Sequence, residues 1–511
     1  MKHKLRFSLA LLVIAIGQIA HAQVANVADI EKFDLREVVV DGTTHNYMTS
    51  VKNQNPFGLC WSFASIASIE SNMLMQGLAD RSTLDLSEWY NGTWANARAN
   101  SADNPNVANW GGWWHLTSFA LASGLGPVNE TEANSTFPGY TGDRTKPAID
   151  TQQNGVFVNK VVNYYGTSSW YDGMSFKNKI KQTIMTHGAM YTSIRQESDS
   201  KYYYTGSNGG TVYYMSDTDA GDNPRNHAVT LAGWDDNKTI TVNGVEKKGA
   251  WLIKNSYGTG YKDDGYFWVS YDHALGVNSA TSFQMQATNP YKTIQSAGKP
   301  GEVMGIWYHK FDNNVYKTEW VATEMVSDGN AIKALGIWAL QAGYDVEIKI
   351  FTSEQDFRNN ENQIAHVIKS DASTEGFQII ELEDCILLED GQEYIVAYSI
   401  NDEYYALRNE FMFPVYEEGE LDDQRHIVFS ENADGTFDID GATDLRQLLD
   451  EGNPGNADSV TLGYNEGDIG VGLTVYTVDP ADVPEPATLL LLTGGAVVLI
   501  RKRRRAGKIA A

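Results

Sequence analysis

The pattern of apolar residues changes near the middle of the chain, and this change limits the folds that are available to it. From about residue 33 to 288, stretches with helical periodicity alternate with β-forming runs. From about residue 290 to 479, short apolar runs such as "ALGIWAL" and "VEIKIF" are separated by clusters of Gly, Asn and Asp. Runs of that length and spacing are typical of an all-β sandwich. The sequence therefore predicts an α+β fold: a mixed region followed by an all-β sandwich.

Three local signals in the mixed region are clear enough to assign elements. Residues 62–76 form an amphipathic pattern that stops at Gly77, and Phe176–His187 form a second one that stops at Gly188. The pair Asn243-Gly244 stands between two β-forming runs, which predicts a tight hairpin.

The first 22 residues have the layout of a secretory signal peptide. Lys2, Lys4 and Arg6 precede an apolar run at residues 9–16, and small residues follow at Ala20 and Ala22. The alternative is a buried N-terminal helix. An exported chain of 511 residues with only two cysteines, Cys60 and Cys385, is not held together by a framework of disulfides.

The C-terminal residues 481–511 carry a second targeting pattern. The motif "VPEPAT" leads into an apolar run at residues 489–500, which a basic cluster at residues 501–505 closes. A short apolar span followed by basic residues predicts a transmembrane segment with its charged end inside the cell. The span is shorter than the roughly 20 residues of a permanent crossing, although a plain membrane anchor remains the alternative.

Charge excludes one class of partner. The formal net charge is −26 and the pI is near 4.7. Such an excess of negative charge repels phosphate backbones, so nucleic-acid binding is not expected. The acidic stretch "ADGTFDIDG" does not fit the helix-flanked calcium loop and predicts a hairpin turn, so no metal site is assigned.

Cys60 lies at the first turn of the predicted helix at residues 62–76. Unpaired N–H groups and the positive end of the helix dipole favour a thiolate there. A nucleophilic thiolate needs an imidazole partner and a donor for the oxyanion that forms on attack. Position alone leaves a second interpretation equally open, because a free cysteine is often a small buried hydrophobe.

The residues around Cys60 resemble the active-site segment of papain-like cysteine proteases. The matching residues in "VKNQNPFGLCWSFA" are Gln54, Gly58, Cys60, Trp61 and Phe63. Further similar segments follow in the family's order: "LDLSEWY", "NWGGWW", "NHAVTLAGW" and "AWLIKNSYGTGYKDDGYFWVSY". The resemblance implies a two-lobed catalytic domain over residues 23–288, with a helical and a β-rich lobe, and neither metal nor organic cofactor.

The resemblance also implies a role for each matched residue. Cys60 would be the nucleophile, His227 its base, and Asn255 the residue that orients the imidazole ring. Gln54, with the Cys60 backbone N–H, would form the oxyanion hole. Gly111, Gly112, Asn226 and Tyr257 would bind the peptide substrate.

The chain departs from the family pattern at several positions. Phe57 and Asn109 stand where relatives carry the two halves of a disulfide, and Leu59 replaces a small residue. Tyr257 stands where a tryptophan usually shields the bond between histidine and asparagine. Relatives also carry a long inhibitory pro-segment, whereas only residues 23–32 separate the predicted signal peptide from the "FDLR" segment. Ten residues are too few for a helical domain, so the sequence predicts no conventional N-terminal zymogen.

The remaining regions resemble known modules as well. Residues 289–480 are similar to the lectin-like domain of some bacterial surface proteins, so a carbohydrate or cell-surface ligand is a possible partner. Residues 481–511 resemble the PEP-CTERM sorting signal, which implies processing by an exosortase-type enzyme and a transient inner-membrane anchor. Cys385 is expected to be a core residue of the β-rich domain.

The sequence therefore predicts an exported cysteine peptidase of the cell surface or the extracellular space. It would cleave peptides or proteins through a Cys–His thiolate–imidazolium pair and a thioester acyl-enzyme. Two alternatives remain open. The first is a surface adhesion protein with an inactive peptidase-like domain. The second is a cell-wall amidase, in which the histidine would follow the cysteine more closely.

Overall fold

The computed structural model describes residues 27–95, 111–131, 156–166, 175–221, 224–296, 303–312, 319–339, 344–372, 375–401, 408–416, 425–445, 460–461, 468–469, 473–483, 490–493 and 496–499. The predicted signal peptide, residues 1–22, and Asn109 lie outside these ranges. We call residues 23–288 the first region and residues 289–480 the β region.

Helices are concentrated in the first region. The α-helices are α1 (Cys60–Met75), α2 (Glu88–Trp94), α3 (Trp114–Ala122), α4 (Phe176–His187), α5 (Asp217–Ala220) and, in the β region, α6 (Glu354–Asn359). Within the ranges given above, 3₁₀ turns lie at Val27–Asp29 and Ser200–Tyr202.

Strands run through the whole described chain. In the first region they are β1 (Lys32–Asp34), β2 (Val38–Val40), β3 (Thr43–His45), β4 (Phe157–Tyr165), β5 (Met190–Ile194), β6 (Tyr203–Thr205), β7 (Thr211–Tyr213), β8 (His227–Val242), β9 (Val245–Lys254), β10 (Tyr266–Ser270) and β11 (Ser279–Gln286). After it come β12 (Thr293–Ser296), β13 (Val303–Asp312), β14 (Glu319–Val326), β15 (Ala331–Ala339), β16 (Tyr344–Phe351), β17 (Ala365–Ala372), β18 (Glu375–Leu387), β19 (Glu393–Asn401), β20 (Arg408–Tyr416), β21 (His426–Ser430), β22 (Thr443–Asp444), β23 (Val460–Thr461), β24 (Asp468–Ile469), β25 (Leu473–Val478), β26 (Leu490–Thr493) and β27 (Ala496–Leu499). The predicted α+β class with a β-rich C-terminal half is confirmed.

Helix α1 begins at Cys60, two residues earlier than the sequence predicts. Its N-cap is Leu59, which provides no side-chain hydrogen bond. Its end matches the predicted stop at Gly77. Gly77 adopts a φ of 68°, and the Leu78 N–H donates to the Met73 carbonyl at 2.8 Å. This is the Schellman pattern, in which glycine provides the left-handed residue after the last turn.

Helix α4 and the β8–β9 hairpin form where the sequence predicts them. The Ser175 hydroxyl caps α4 by accepting from the Asn178 N–H, and Gly188 ends the helix at a φ of 89°. Strands β8 and β9 meet at Asn243 and Gly244, whose φ angles are 50° and 80°. Both angles are positive, as a two-residue hairpin turn requires.

Strands from both regions join in one continuous sheet. Its thirteen strands follow the order β12-β25-β15-β18-β4-β11-β5-β8-β9-β10-β7-β6, with β1 paired to β8 off this path. Strands β12, β25, β15 and β18 come from the β region. A second sheet, β17-β16-β19-β14-β21-β22, lies in the β region alone.

The two regions join where β18 pairs antiparallel with β4. Gly376 lies opposite Val162 in this register and adopts a φ of 119°. A Cβ atom at this position would lie 2.2 Å from the Val161 carbonyl oxygen. Since real Cβ atoms do not approach backbone that closely, only glycine fits the junction.

Strands β15, β18 and β25 of this sheet have buried side chains on both faces. On β15, Leu335 and Ile337 pack against the six-stranded sheet and form the core of the predicted sandwich. The alternate residues, Ala334 and Trp338, belong instead to the core of the first region. Successive side chains of a strand point to opposite faces, so the apolar run "ALGIWAL" serves two cores at once.

Aromatic side chains fill the contact between the regions. Trp338 lies on Phe119 of α3, with 4.0 Å between ring centroids. Tyr476 of β25 packs edge-on against Phe157 at 5.7 Å, and its hydroxyl donates to the Ala122 carbonyl at 2.9 Å. The β region therefore supports α3, the helix that follows Gly111 and Gly112.

The C-terminal segment differs from its prediction. In place of one apolar transmembrane segment at residues 489–500, the structure has the paired strands β26 and β27. Of the helices within the described ranges, none has the length and apolar character needed to cross a membrane.

Candidate active site

Cys60 is the first residue of α1 and is half-buried. The first N–H groups of a helix have no carbonyl one turn before them, so those of Cys60 and Trp61 can donate to the sulfur. The thiol also lies within hydrogen-bond reach of the Ala228 backbone, next to His227. Helix α1 is held against β8 by a bond of 3.3 Å from the Thr230 hydroxyl to the Ala64 carbonyl.

His227 and Asn255 come from adjacent antiparallel strands. His227 opens β8, and Asn255 directly follows the last residue of β9. His227 Nε2 and Asn255 Oδ1 are 2.7 Å apart. The Ser256 N–H donates to the same Oδ1 at 2.9 Å, which identifies that atom as the oxygen. Nε2 therefore carries a proton, and the lone pair of the neutral ring is on Nδ1.

Burial shifts the pKa of both members of the Cys60–His227 pair. It lowers the pKa of His227 to about 4, against a smaller opposing effect of the Asn255 hydrogen bond. It raises the pKa of the Cys60 thiol, while hydrogen bonds with the backbone of Ala228 and Trp61 act in the opposite direction. Both shifts favour the uncharged forms of the two groups at neutral pH.

Gln54 is brought to the site by a loop that is bonded to the Asn255 segment. The Gln54 N–H donates to the Ser256 carbonyl at 2.8 Å. The Ser256 hydroxyl donates to Gln54 Oε1 at 2.5 Å, and Gln54 Nε2 donates to the Phe57 carbonyl at 2.8 Å. These contacts fix the amide orientation, and the second Nε2–H can serve another acceptor. Sequence analysis assigned no role to the neighbouring Ser256.

The packing of Trp61, next to Cys60, leaves no room for a side chain at Gly112. A Cβ atom there would lie 2.6 Å from the Trp61 indole, so a larger residue would displace the side chain next to Cys60. Gly111 has open space around its Cβ position but a φ of 66°. Packing at Gly112 and backbone conformation at Gly111 each favour glycine, and contact of these glycines with a substrate stays a prediction.

The Asn226 side chain is engaged with the protein backbone. Its Oδ1 accepts from the Gln196 N–H at 2.9 Å, and its Nδ2 donates to the Gln196 carbonyl at 3.1 Å. These bonds fix the backbone just before His227. The Asn226 N–H also donates to the Ile194 carbonyl at 3.1 Å, so the predicted contact with substrate would have to use the Asn226 carbonyl.

Tyr257 lies on the imidazole ring of His227. The two ring centroids are 4.9 Å apart and the planes are inclined by 18°. The Tyr257 hydroxyl oxygen is 3.4 Å from Nδ1, the nitrogen that carries the lone pair. The sequence placed an aromatic residue here but gave no indication of where the hydroxyl lies.

A buried cluster of ionisable side chains, Lys254, Glu70 and Glu88, lies behind the site, and the sequence did not predict it. Lys254 Nζ donates to the Thr49 hydroxyl at 3.0 Å, and that hydroxyl donates to Glu70 Oε2 at 2.5 Å. Glu88, Lys254 and Asn255 line a cavity that extends to Ala228. Ionisable residues inside otherwise apolar runs, such as Lys254 in "AWLIKN", are the signal that could have revealed this group.

Comparisons with known proteins agree with the predicted resemblance. The sequence model of the family described as "Papain family cysteine protease" matches residues 31–286, and that of the "PEP-CTERM protein-sorting motif" matches residues 482–505. A viral cathepsin of Adoxophyes honmai nucleopolyhedrovirus is 26% identical over 242 residues, which are 47% of this chain and 59% of the relative. Fruit bromelain of Ananas comosus is 24% identical over 271 residues, 52% of this chain and 62% of that protein. The chain thus spans about three fifths of the length of these relatives.

Two solved structures resemble both regions together. One is the clostridial cysteine protease Cwp84 after propeptide cleavage, at a TM-score of 0.61 and 17% identity, covering 85% of this chain and 97% of that one. The other contains the cysteine protease and lectin-like domains of Cwp84, a surface-layer-associated protein of Clostridium difficile, at a TM-score of 0.57 and 17% identity, covering 85% and 87%. At this identity the likeness concerns the fold alone.

Proposed function

The chain belongs to the papain family of cysteine proteases, and on that premise we propose that it hydrolyses peptide bonds with Cys60 as the nucleophile. The observation that carries the proposal is the bond of 2.7 Å between His227 Nε2 and Asn255 Oδ1. This bond keeps the proton of the neutral ring on Nε2. Nδ1 therefore has the lone pair that can accept a proton, beside a cysteine at a helix N-terminus.

Acylation begins when the Cys60 thiol gives its proton to His227 Nδ1 and the sulfur attacks the substrate carbonyl carbon. The carbonyl oxygen becomes an oxyanion, which the Gln54 Nε2–H and the Cys60 backbone N–H stabilise. When the C–N bond breaks, His227 returns the proton to the leaving amine, and a thioester remains on Cys60.

Deacylation reverses these roles. His227 takes a proton from water, the resulting hydroxide attacks the thioester carbonyl, and the acid product leaves as the sulfur regains its proton. Asn255 acts only through the orientation of the ring. The backbone near Gly111 and Gly112, the Asn226 main chain and Tyr257 would line the peptide.

The two cysteines provide a matched test of this mechanism. Cys60→Ala should lower peptide hydrolysis by roughly 10⁴-fold or more, whereas Cys385→Ala should leave the rate unchanged. Cys385 is half-buried on β18, so it is not the core residue that the sequence predicts. His227→Ala should be nearly as damaging as Cys60→Ala, and Asn255→Ala should be milder. Hydrolysis of a fluorogenic peptide library provides the measurement.

A thiol-directed epoxide separates an active peptidase from an inactive one. We expect the epoxide to modify Cys60 alone, as located by mass spectrometry of the tryptic peptides. If Cys60 resists the reagent and no peptide is cleaved, the domain is inactive, and the adhesion alternative replaces the proposal.

Export and sorting follow from the C-terminal motif. We expect an exosortase-type enzyme to cut near Pro484-Glu485-Pro486 and the mature protein to reach the cell surface or the medium. Intact-mass analysis of the secreted protein would contradict this if the basic residues 501–505 were still present.

The β region would bind a carbohydrate or another surface ligand, which a glycan array of the Cys60→Ala protein can test.

A further inference from the structure

Lys160 and Gln378 lie side by side where the two regions join. Lys160 on β4 is directly opposite Gln378 on β18. Gln378 is in turn opposite Ile337 of β15, which belongs to the sandwich core of the β region. Since residues directly opposite each other in a sheet share a face, Lys160 and Gln378 lie on the same face as this core.

Lys369 approaches this place from the six-stranded sheet. It lies on β17, opposite Val346 of β16, and Val346 is buried in the same core. Lys369 is therefore on the inner face of its sheet, where β17 is the edge strand, and its side chain is exposed at the rim. Packed sheets lie about 10 Å apart, so lysine side chains from both sheets can reach one ligand between them.

These two amines have no acidic partner within the described ranges. Other lysines there do form ion pairs, as Lys333 does with Glu381 at 3.6 Å. Burial first and the like charge of Lys369 second lower the pKa of the half-buried Lys160. An anion between the two amines would oppose both effects, because an opposite charge favours the protonated amine.

A third donor at this place also lacks a partner. Gln378 is 7% exposed, and its Nε2 is buried without a hydrogen bond in the part of the chain that the structure describes. A buried donor without an acceptor destabilises a fold, and native structures contain few of them. An acceptor from outside the chain would satisfy this amide together with the two amines.

We propose that Lys160, Lys369 and Gln378 bind a carboxylate or sulfate group between the two sheets, at the junction of the first region and the β region. The oxygens of such a group accept from ammonium and amide N–H groups. The net charge of −26 repels anions at long range, so their binding needs a local cluster of donors.

This inference narrows the surface ligand proposed for the β region to an acidic one, such as a saccharide with carboxylate or sulfate groups. It rests on that proposed function for the saccharide, but the anion site itself does not depend on it.

Protection of a sheet edge explains only one of the lysines. An inward-pointing charge on an edge strand hinders pairing with another chain, and Lys369 on β17 fits this description. Lys160 does not, because β4 is paired on both sides, with β11 and β18. The edge explanation also leaves the Gln378 amide without an acceptor.

Thermal unfolding of the full chain carrying Cys60→Ala tests the site, since a ligand that binds only the folded protein raises the midpoint. Circular dichroism follows unfolding with sodium sulfate, trigalacturonate or neutral maltotriose, at one ionic strength set with NaCl. Sulfate also stabilises folded proteins through its exclusion from their surface. Each rise in the midpoint is therefore compared with the rise in variants that lack one lysine.

We expect sulfate and trigalacturonate to raise the midpoint by roughly 2–4 °C at saturation, and maltotriose to leave it in place. Lys160→Met and Lys369→Met should each lose most of this rise. Lys333→Met should keep it, because it removes an equal charge from the same sheet at a lysine that already has an acidic partner. Saturation at a lower concentration of trigalacturonate than of sulfate would identify a saccharide as the ligand, and the reverse order a small inorganic anion.

The proposal is wrong if Lys160→Met and Lys369→Met respond to both anions as Lys333→Met does. It is equally wrong if neither anion raises the midpoint of the parent protein. Lys369 is exposed, so its substitution decides the question even where Lys160→Met fails to fold. The sulfate measurement needs no sugar, and the Cys60→Ala background needs no peptidase activity, so a failure here is distinct from a failure of the proposed function.

Discussion

The two regions share a sheet but bury different kinds of side chain. The first region buries carboxylates and amines at Glu70, Glu88, Asp235, Lys181, Lys238 and Lys254, besides the catalytic candidates. Among the described residues of the β region, the buried Lys, Arg, His, Asp and Glu residues are Lys349 and His426. The apolar clusters of the β region consist mainly of Val, Ile, Leu and aromatic residues.

This difference suggests how the molecule divides its tasks. Burying a polar or charged group costs free energy unless it is fully bonded, so a site of this kind reduces the stability of the region that holds it. The β region contributes apolar surface, through Trp338 and Tyr476, to the core of that same region. The first region should therefore depend on the β region more than the sequence-predicted boundary at residue 288 implies.

Removal of the β region is the strongest test of whether the first region depends on it for stability. A chain that ends at residue 288 exposes Phe119, Phe157 and the β4 edge, which β18 and its aromatic residues cover in the full protein. Each buried aromatic truncation costs about 3–5 kcal/mol, against a total stability of about 5–15 kcal/mol for a typical domain. We expect the shortened chain to aggregate or to lack a cooperative thermal transition by circular dichroism.

A chain that ends at residue 483 is the control, because it lacks only the sorting motif and should unfold like the full protein. If the chain ending at residue 288 instead melted within a few degrees of the full protein, the first region would be an independent domain. The dependence argued above would then be wrong.

The junction itself can be weakened by a single methyl group. Gly376→Ala would place a Cβ atom 2.2 Å from the Val161 carbonyl oxygen in a backbone with a φ of 119°. The β4–β18 pair must separate to relieve this contact, so we expect a loss of about 3 kcal/mol or more in the free energy of unfolding. Urea unfolding followed by tryptophan fluorescence measures this loss.

Gly391→Ala is a matched control in the β region. Gly391 also has a positive φ, of 78°, but nothing lies within 4 Å of its Cβ position. Its substitution should cost about 1 kcal/mol, the price of the backbone conformation alone. Equal losses in the two variants would show that the junction is not under special steric constraint.

The sequence predicts local structure in this protein better than it predicts the junction. Helix α4 begins at Phe176 and ends at His187, as expected, because the Ser175 cap and Gly188 are neighbours in sequence. The catalytic candidates lie in local motifs, and contacts connect these motifs: His227 with Asn255, Gln54 with Ser256, and Cys60 with the Ala228 backbone. By contrast, "ALGIWAL" reads as a buried strand whatever covers its second face, so the shared sheet could not be predicted.

The same limit applies to the Tyr257 hydroxyl and to the charged group behind the site. Tyr257 lies over the His227 ring only because the loop at Asn53 and the loop after β9 are bonded to each other. Lys254 and Glu70 meet through Thr49, which is 205 residues from the first and 21 from the second. Contacts between side chains that are distant in sequence depend on the assembled fold, and no local pattern encodes them.

The last prediction concerns the buried carboxyl groups that distinguish the first region from the β region. Glu88 is only 5% exposed, and burial first and Glu70 second raise its pKa from 4.5 to about 8. A carboxyl whose pKa rises on folding stabilises the fold fully below pH 4.5, and this contribution is lost as the pH rises through 8. Glu88→Gln removes the ionisation. The variant should match the wild-type protein at pH 4.5 and exceed its free energy of unfolding by about 2–4 kcal/mol at pH 9. Urea titrations at pH 4.5, 7 and 9 would measure this gain.

Glu383→Gln, at an exposed carboxylate on β18 of the β region, is the control. It should change the free energy of unfolding by less than about 0.5 kcal/mol at each pH. A gain for Glu88→Gln that did not grow with pH would mean that Glu88 stays solvated, and the contrast between the two regions would then rest on packing alone.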